Sequence, residues 1–285
     1  MTKFGKFDDY PPRSLESAEA ALLTAWRSLE QYHNDLVLVG GLAVHYLTRR
    51  DLAGLPGAVT LDVDFGITLG ASGGQYGTIK TDLAGLGFTS EGNRLVRKFG
   101  DIALYLGFLT EDPPSVTGAR VVDDVVASVI PGVNRALASR RIMTVHGRDL
   151  YGAEQTCQVA VANIGPLLVL KLNAFGGPTG RRSPKDAYDV LLAVTGFIDG
   201  PEAAVLAFRA EKDAGNPAYT AALAALRADF SEANQDGPVR AAEFYPGDAA
   251  DRDRVRQQVV TMGRILLGIS PPRHTKRWHQ AEQFI

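Results

Sequence analysis

The sequence predicts a mixed α/β fold, an α+β arrangement in which a mixed sheet with flanking helices is followed by a helical C-terminal region. Three observations carry this. Short apolar strand signals alternate with helical ones up to Asn163; beyond it the strand signal stops and alanine, leucine and arginine dominate. An apolar run, Leu36–Val39, also ends in a glycine pair, Gly40-Gly41, that opens a helix. Strands interleaved with helices favour a sheet covered by helices. A boundary near residue 163 divides the 285 residues into an α/β core, 1–163, and a helical domain, 164–285.

Residues 14–32 read as an amphipathic helix. Ser14 is placed to cap it, Glu16 and Glu19 suit its first turns, and Ala21, Leu22, Leu23, Trp26 and Leu29 form an apolar stripe. The first core strand, 36–39, leads into a helix ending near Arg49-Arg50. A loop with two glycines and Pro56, 51–58, precedes a strand that carries Asp62-Val63-Asp64. Residues 70–77 form a glycine-rich loop and 78–86 a helix, with Gly87 as its cap. Strands follow at 87–90, 95–98 and 102–108. Residues 121–130 are expected to be helical, with Asp123-Asp124 near the start. A hairpin runs from 140–145 to 158–161, with Gly147 and Gly152 between. Helices are expected at 164–175, 186–197, 202–212, 218–228 and 251–267, and loops rich in glycine and proline at 176–184 and 236–248.

With 45% hydrophobic and 22% charged residues, the composition is that of a soluble globular protein with a real core. A net charge of −2 excludes a global basic footprint, so a nucleic-acid partner must be met by a local patch. The one cysteine, Cys157, excludes an internal disulfide and suits a reducing cytoplasm. The N-terminus lacks the apolar run of a signal peptide, and no stretch approaches the ~18 apolar residues of a membrane span. A cytoplasmic protein without a membrane partner is expected. There is no His/Cys cluster of zinc spacing, no Gly-x-Ser-x-Gly elbow and no Walker lysine loop.

Chemistry concentrates around Asp62 and Asp64. Side chains on a strand alternate, so both carboxylates point one way while Leu61, Val63 and Phe65 point into a core. Paired carboxylates repel unless protonated or bridged by a cation. An oxygen pair of this kind suits Mg²⁺, which keeps the rest of its shell for water and substrate phosphate. That is the chemistry of phosphoryl and nucleotidyl transfer. Gly40-Gly41 before a helix exposes backbone N–H groups as a phosphate cradle. The bland alternatives are a solvated sheet face and a tight connection.

Apolar strand, Gly-Gly, short helix and a strand with Asp-x-Asp resemble the signature of a nucleotidyltransferase fold. A second block narrows the resemblance: Lys171 within the apolar helical run 167–175, then Arg181-Arg182-Ser183-Pro184-Lys185-Asp186-Ala187-Tyr188-Asp189. It is similar to the AbiEii-like family, the toxin halves of bacterial toxin–antitoxin and phage-abortive systems. The match spans roughly 36 to 194, over half the chain.

The resemblance implies Mg²⁺ or Mn²⁺ on Asp62 and Asp64, an NTP as substrate, tRNA as hydroxyl acceptor and a separately encoded antitoxin. It places Asp186 and Asp189, three apart on one helical face, in the cleft opposite Lys171, with Asp186 positioning or deprotonating the acceptor. Lys171 would meet the triphosphate as a point charge, and Arg181, Arg182 and Lys185, read as loop cations, would grip triphosphate or an RNA backbone. A snorkelling lysine, a helix N-terminal charge and a solvated loop are the plain accounts of the same residues. The chain departs from the fold's pattern where a later strand normally adds a third carboxylate: the equivalent position is read as Tyr105, with Asp101 or Glu111-Asp112 as substitutes. His45 is expected to be a packed or surface residue. In the tail, 271–280, cations interleaved with Trp278 fit RNA contact, or simple packing on the bundle. Two rivals remain: an antibiotic-type small-molecule adenylyltransferase, and a degenerate member that binds nucleotide, RNA or a protein without turnover.

Overall fold

The computed structural model describes residues 4–49, 52, 54–68, 78–111, 118–122, 124–176 and 180–269. Among them nine strands join in one mixed sheet: β1 (Leu36–Val39), β2 (Asp62–Ile67), β3 (Thr89–Glu91), β4 (Arg94–Phe99), β5 (Ile102–Thr110), β6 (Gly118–Val122), β7 (Val125–Val129), β8 (Arg140–Arg148) and β9 (Glu154–Ala162). Their order is β3-β4-β5-β2-β1-β9-β8, and β7 pairs with both β5 and β6. β1 is antiparallel to β2 and parallel to β9, while β2 and β5 run parallel. Wholly buried, β1 reads as an unbroken apolar run because both its faces are covered.

Helix α1 (Ser14–Ser28) covers one face, where Trp26 meets Phe65 of β2 at 5.8 Å between ring centroids. On the opposite face of β2, Gly66 lets α4 (Val133–Ala138) approach: a Cβ there would lie 3.1 Å from Val133 and 2.9 Å from Val37. Asp62 and Asp64 share the Gly66 face by the two-residue period. Helix α2 (Gly40–Leu47) follows β1 directly, and α3 (Ile79–Gly85) precedes β3. Beyond β9 the chain is helical: α5 (Ile164–Gly176), α6 (Pro184–Thr195), α7 (Pro201–Asp213), α8 (Tyr219–Asp229), α9 (Asp236–Phe244) and α10 (Ala249–Leu266). α5 and α6 both pack on α2, so the helical region meets the sheet at the Gly40-Gly41 turn. No helix among the described residues is long and apolar enough to cross a membrane.

Four expectations are corrected. Residues 121–130 form no helix but most of the β6–β7 hairpin: Val125, Ala127 and Val129 are buried while Val126 is exposed, a two-residue alternation rather than a helical one. Asp124 in its turn accepts the Lys80 N–H of α3 at 3.0 Å. Residues 236–244 are helix α9, not loop. Pro238 falls in its first turn, where a missing N–H costs nothing, and Gly237 seats it against Phe230. The first helix ends at Ser28 and is followed by a 3₁₀ turn, Glu30–Tyr32. Ser14 does not cap it; Arg13 is the cap residue, and the Ser14 hydroxyl donates to Pro11 O at 2.5 Å. The glycine-rich loop 70–77, Asp112, Asp123 and the tail 271–280 lie outside the described residues.

Candidate functional site

Asp64 is the centre from which the site is built. On β2 it registers with Val39 of β1 on one side and Gly107 of β5 on the other. Gly40, next after Val39, has φ +71°, and a Cβ on it would fall on the Asp64 carboxylate. A Cβ on Gly107 would come within 3.0 Å of Asp64 Oδ1. Two glycines thus clear the space around one acid. Gly41 makes the same allowance for the helical region, since a Cβ there would lie 3.0 Å from Lys185 Nζ. The first turn of α2 takes no side-chain cap from Val39.

Asp64 opens on a cavity of about 600 Å³. Gly40, Arg94, Lys171, Arg181 and Asp186 line it with Asp64, facing an apolar wall that includes Phe108, Ile130, Leu167 and Leu170. Asp62, two residues back, is nearly buried and accepts from Arg94, with Nη1 3.1 Å from Oδ1.

An ionic cluster runs from the cavity wall inwards, buried except for the half-exposed Arg181. Lys171 Nζ donates to Asp189 Oδ2 at 2.6 Å and lies 3.8 Å from Asp186 Oδ1. Lys185 Nζ reaches the same Asp189 oxygen at 2.6 Å, and Arg181 Nη2 donates to Asp186 Oδ2 at 2.9 Å. Burial works against the charge on Arg181, but Asp186, Asp64 and Asp62 outweigh it and raise its pKa above the ordinary value. Lys185 is also raised: Asp189 and Asp186, with a smaller share from Asp62, overcome complete burial. The acids of β2 and of α6 therefore act on the same cations. With Arg94 and the two β2 acids included, four cations (Arg94, Lys171, Arg181, Lys185) face four acids (Asp62, Asp64, Asp186, Asp189), so the site carries no formal net charge.

Other residues land differently. Arg182, at φ +47°, bridges Asp236 (Nε···Oδ2 2.8 Å) and Asp229 (Nη2···Oδ1 3.4 Å) of α9 and α8, and does not line the cavity. Lys185 is not a loop cation but a buried member of α6. His45 is buried, with Nε2 3.5 Å from Glu19 Oε1, outside the cavity lining. On β5, Tyr105 registers with Asp62 and Gly107 with Asp64, so neither neighbour is an acid. Asp101 sits exposed in the β4–β5 turn, and Glu111 accepts the Asn134 N–H at the start of α4.

Sequence reasoning passed over Arg94, which lines the cavity, and Tyr10, which does not line it but lies within the field of its acids. Arg94 belongs to no motif; only its register beside Gly107 brings it to the site. The Tyr10 phenol, packed on Phe244 at 6.1 Å, is pushed well above its usual pKa by burial and by Asp189, Asp62 and Asp186. Nothing in its local sequence signals that.

Among the described residues, no three His, Cys, Asp or Glu side chains gather as a metal cage. Asp62 and Asp64 instead put hard oxygens on one strand face, without nitrogen or sulfur donors; Asp64 reaches the cavity, while Asp62 is nearly buried, does not line it and is held by Arg94. Such oxygens suit Mg²⁺ or Mn²⁺ completed by water and phosphate, and not zinc. No family model matches the chain, and no curated protein matches its sequence.

Proposed function

We propose that the chain is a divalent-metal-dependent nucleotidyltransferase, moving a nucleoside monophosphate from an NTP to a hydroxyl acceptor. One observation carries the reading: Asp64, Lys171, Arg181 and Asp186, from separate segments, line one cavity at the mouth of a Gly-Gly helix start. In the reaction, an acceptor oxygen attacks the α-phosphorus and a new P–O bond forms. The bond to the β-phosphate oxygen breaks, pyrophosphate leaves, and the hydroxyl proton passes to water. Lys171 and Arg181 offset the triphosphate charge, and the α2 N–H groups add to this. Asp186, with cations at both oxygens, orients them rather than taking the proton. Mg²⁺ or Mn²⁺ on Asp62 and Asp64 would supply Lewis-acid stabilisation when bound.

The AbiEii-like resemblance supports tRNA as acceptor and an antitoxin as partner. The absence of an acid beside Asp62 and Asp64 on β5 favours the second reading, a nucleotide-binding protein without turnover. Purified protein incubated with each labelled NTP, Mg²⁺ and total tRNA tests both. Labelled tRNA and pyrophosphate, both abolished by Asp64→Ala, are expected; nucleotide binding without pyrophosphate release would leave the second reading.

A further inference from the structure

The cavity has two chemically different ends. Asp64, Lys171, Arg181 and Asp186 make one of them. The other is walled by Ile130 and Pro131 of the turn after β7, by Leu170 of α5, and by Pro217, Ala218 and Ala221 at the start of α8. Gly132, at φ +95°, lets that turn come down on the two helices: a Cβ there would lie 3.1 Å from Ala218 and 3.7 Å from Leu170.

Asn173, two residues past Lys171 on α5, also lines the cavity. Its amide nitrogen gives one N–H to Val169 O at 2.9 Å and the other to Ala218 O at 3.0 Å. Two carbonyl acceptors fix which way the amide faces, because the oxygen has no proton to offer them. This tie fastens the start of α8 to α5, and the oxygen takes no part in it. Among the described residues nothing donates to Oδ1, and it is not sealed from solvent. The polar side chains Asn93 and Ser128, elsewhere on the lining, bond each other at 2.8 Å.

The triphosphate has its cations at the charged end, so the rest of a nucleotide lies towards the apolar one, where water is excluded. An acceptor without a donor in such a wall is satisfied by a ligand N–H and opposed by a ligand carbonyl. We propose that the apolar end holds the nucleobase and that Asn173 Oδ1 accepts from its exocyclic amine, so that the site selects adenine or cytosine. These two bases share an amine beside an unprotonated ring nitrogen; guanine and uracil present a carbonyl at that edge. The inference rests on the nucleotidyl-transfer reading and adds the base to it.

Titration calorimetry of the full chain with Mg²⁺ compares each nucleotide with a counterpart lacking the amine: ATP with purine-riboside triphosphate, CTP with UTP. The tighter of ATP and CTP names the base, and its counterpart should bind about tenfold more weakly. Asn173→Ala should bring that ratio within about twofold, whereas loss of a purely structural tie would weaken both ligands alike and leave the ratio standing. A ratio near one in the parent, or one that survives Asn173→Ala, overturns the inference and leaves nucleotidyl transfer intact. Should Asn173→Ala fail to fold, Ala221→Leu, which fills the apolar end, decides. It should weaken the nucleotide about tenfold and inorganic triphosphate less than about twofold, and equal losses would overturn the inference. Failure of the parent to bind any nucleoside triphosphate would overturn both readings together.

Discussion

Lys171 of α5 and Asp189 of α6 meet at 2.6 Å with both side chains almost wholly buried. Lys185 donates to the same oxygen at the same distance, so one carboxylate holds two buried ammonium groups. Removing it takes the nearest acid from both, leaving the more distant Asp186 to offset them. Asp189→Ala is expected to lower stability by ~3–5 kcal/mol, the cost of leaving a buried charge without its partner. Urea denaturation measures this; a midpoint equal to the parent's would show that the cluster does not hold α5 to α6.

Alkaline pH should weaken the fold. Lys185 is raised above 10.5 because Asp189 and Asp186 outweigh its burial, and Tyr10 is raised above 10.0 by burial and the same acids. A raised folded value means that the native state binds the proton more tightly. The contribution is therefore complete below about pH 10 and lost as pH climbs through the folded values. Unfolding free energy followed from about pH 8 to about pH 12 should fall, and Tyr10→Phe should make the fall shallower. A flat profile would contradict this arrangement.

Gly40→Ala tests the clearance around Asp64. The added methyl group would meet the Asp64 carboxylate, and φ +71° disfavours any side chain. Nucleotide affinity should fall by about tenfold or more, with a stability loss of roughly 1–2 kcal/mol from backbone strain. Calorimetry of ligand binding and thermal unfolding separate the two effects. An alanine variant that binds as the parent does would remove Gly40 from the site.

Adjacent arginines should behave oppositely. Arg181 lines the cavity, whereas Arg182 is tied to Asp229 and Asp236. Arg181→Ala is expected to weaken triphosphate binding about tenfold and Arg182→Ala less than about twofold. Arg182→Ala should instead reduce the melting temperature, because Asp229 is buried and loses its cation. Equal effects on binding would mean that the loop presents both to ligand.

Regular periodicity was readable where it was strong. Continuous burial of β1 and the helical spacing of α5 follow from their residues alone. The β6–β7 hairpin was read as a helix because a valine-rich run fits both periods until its partner strand is known. In α9, Gly237 and Pro238 suggested a loop, yet both fit a first helical turn packed against Phe230. At the candidate site, local motifs singled out Asp62, Asp64, Lys171, Asp186 and Asp189. Arg94 and Tyr10 were invisible because each depends on long-range placement: one on register across β5, the other on N-terminal packing beside α9.

The acids on β2 and the cations of α5 and α6 are held together along a seam where those helices rest on α2 and where α5 packs on α4, itself seated on β2. Loosening that seam scatters the constellation while every strand of the sheet stays paired. On the proposed reading, nucleotide capture would then be a finer thermometer of this molecule's integrity than its spectroscopic signature, failing with the first slackening and not with the final collapse.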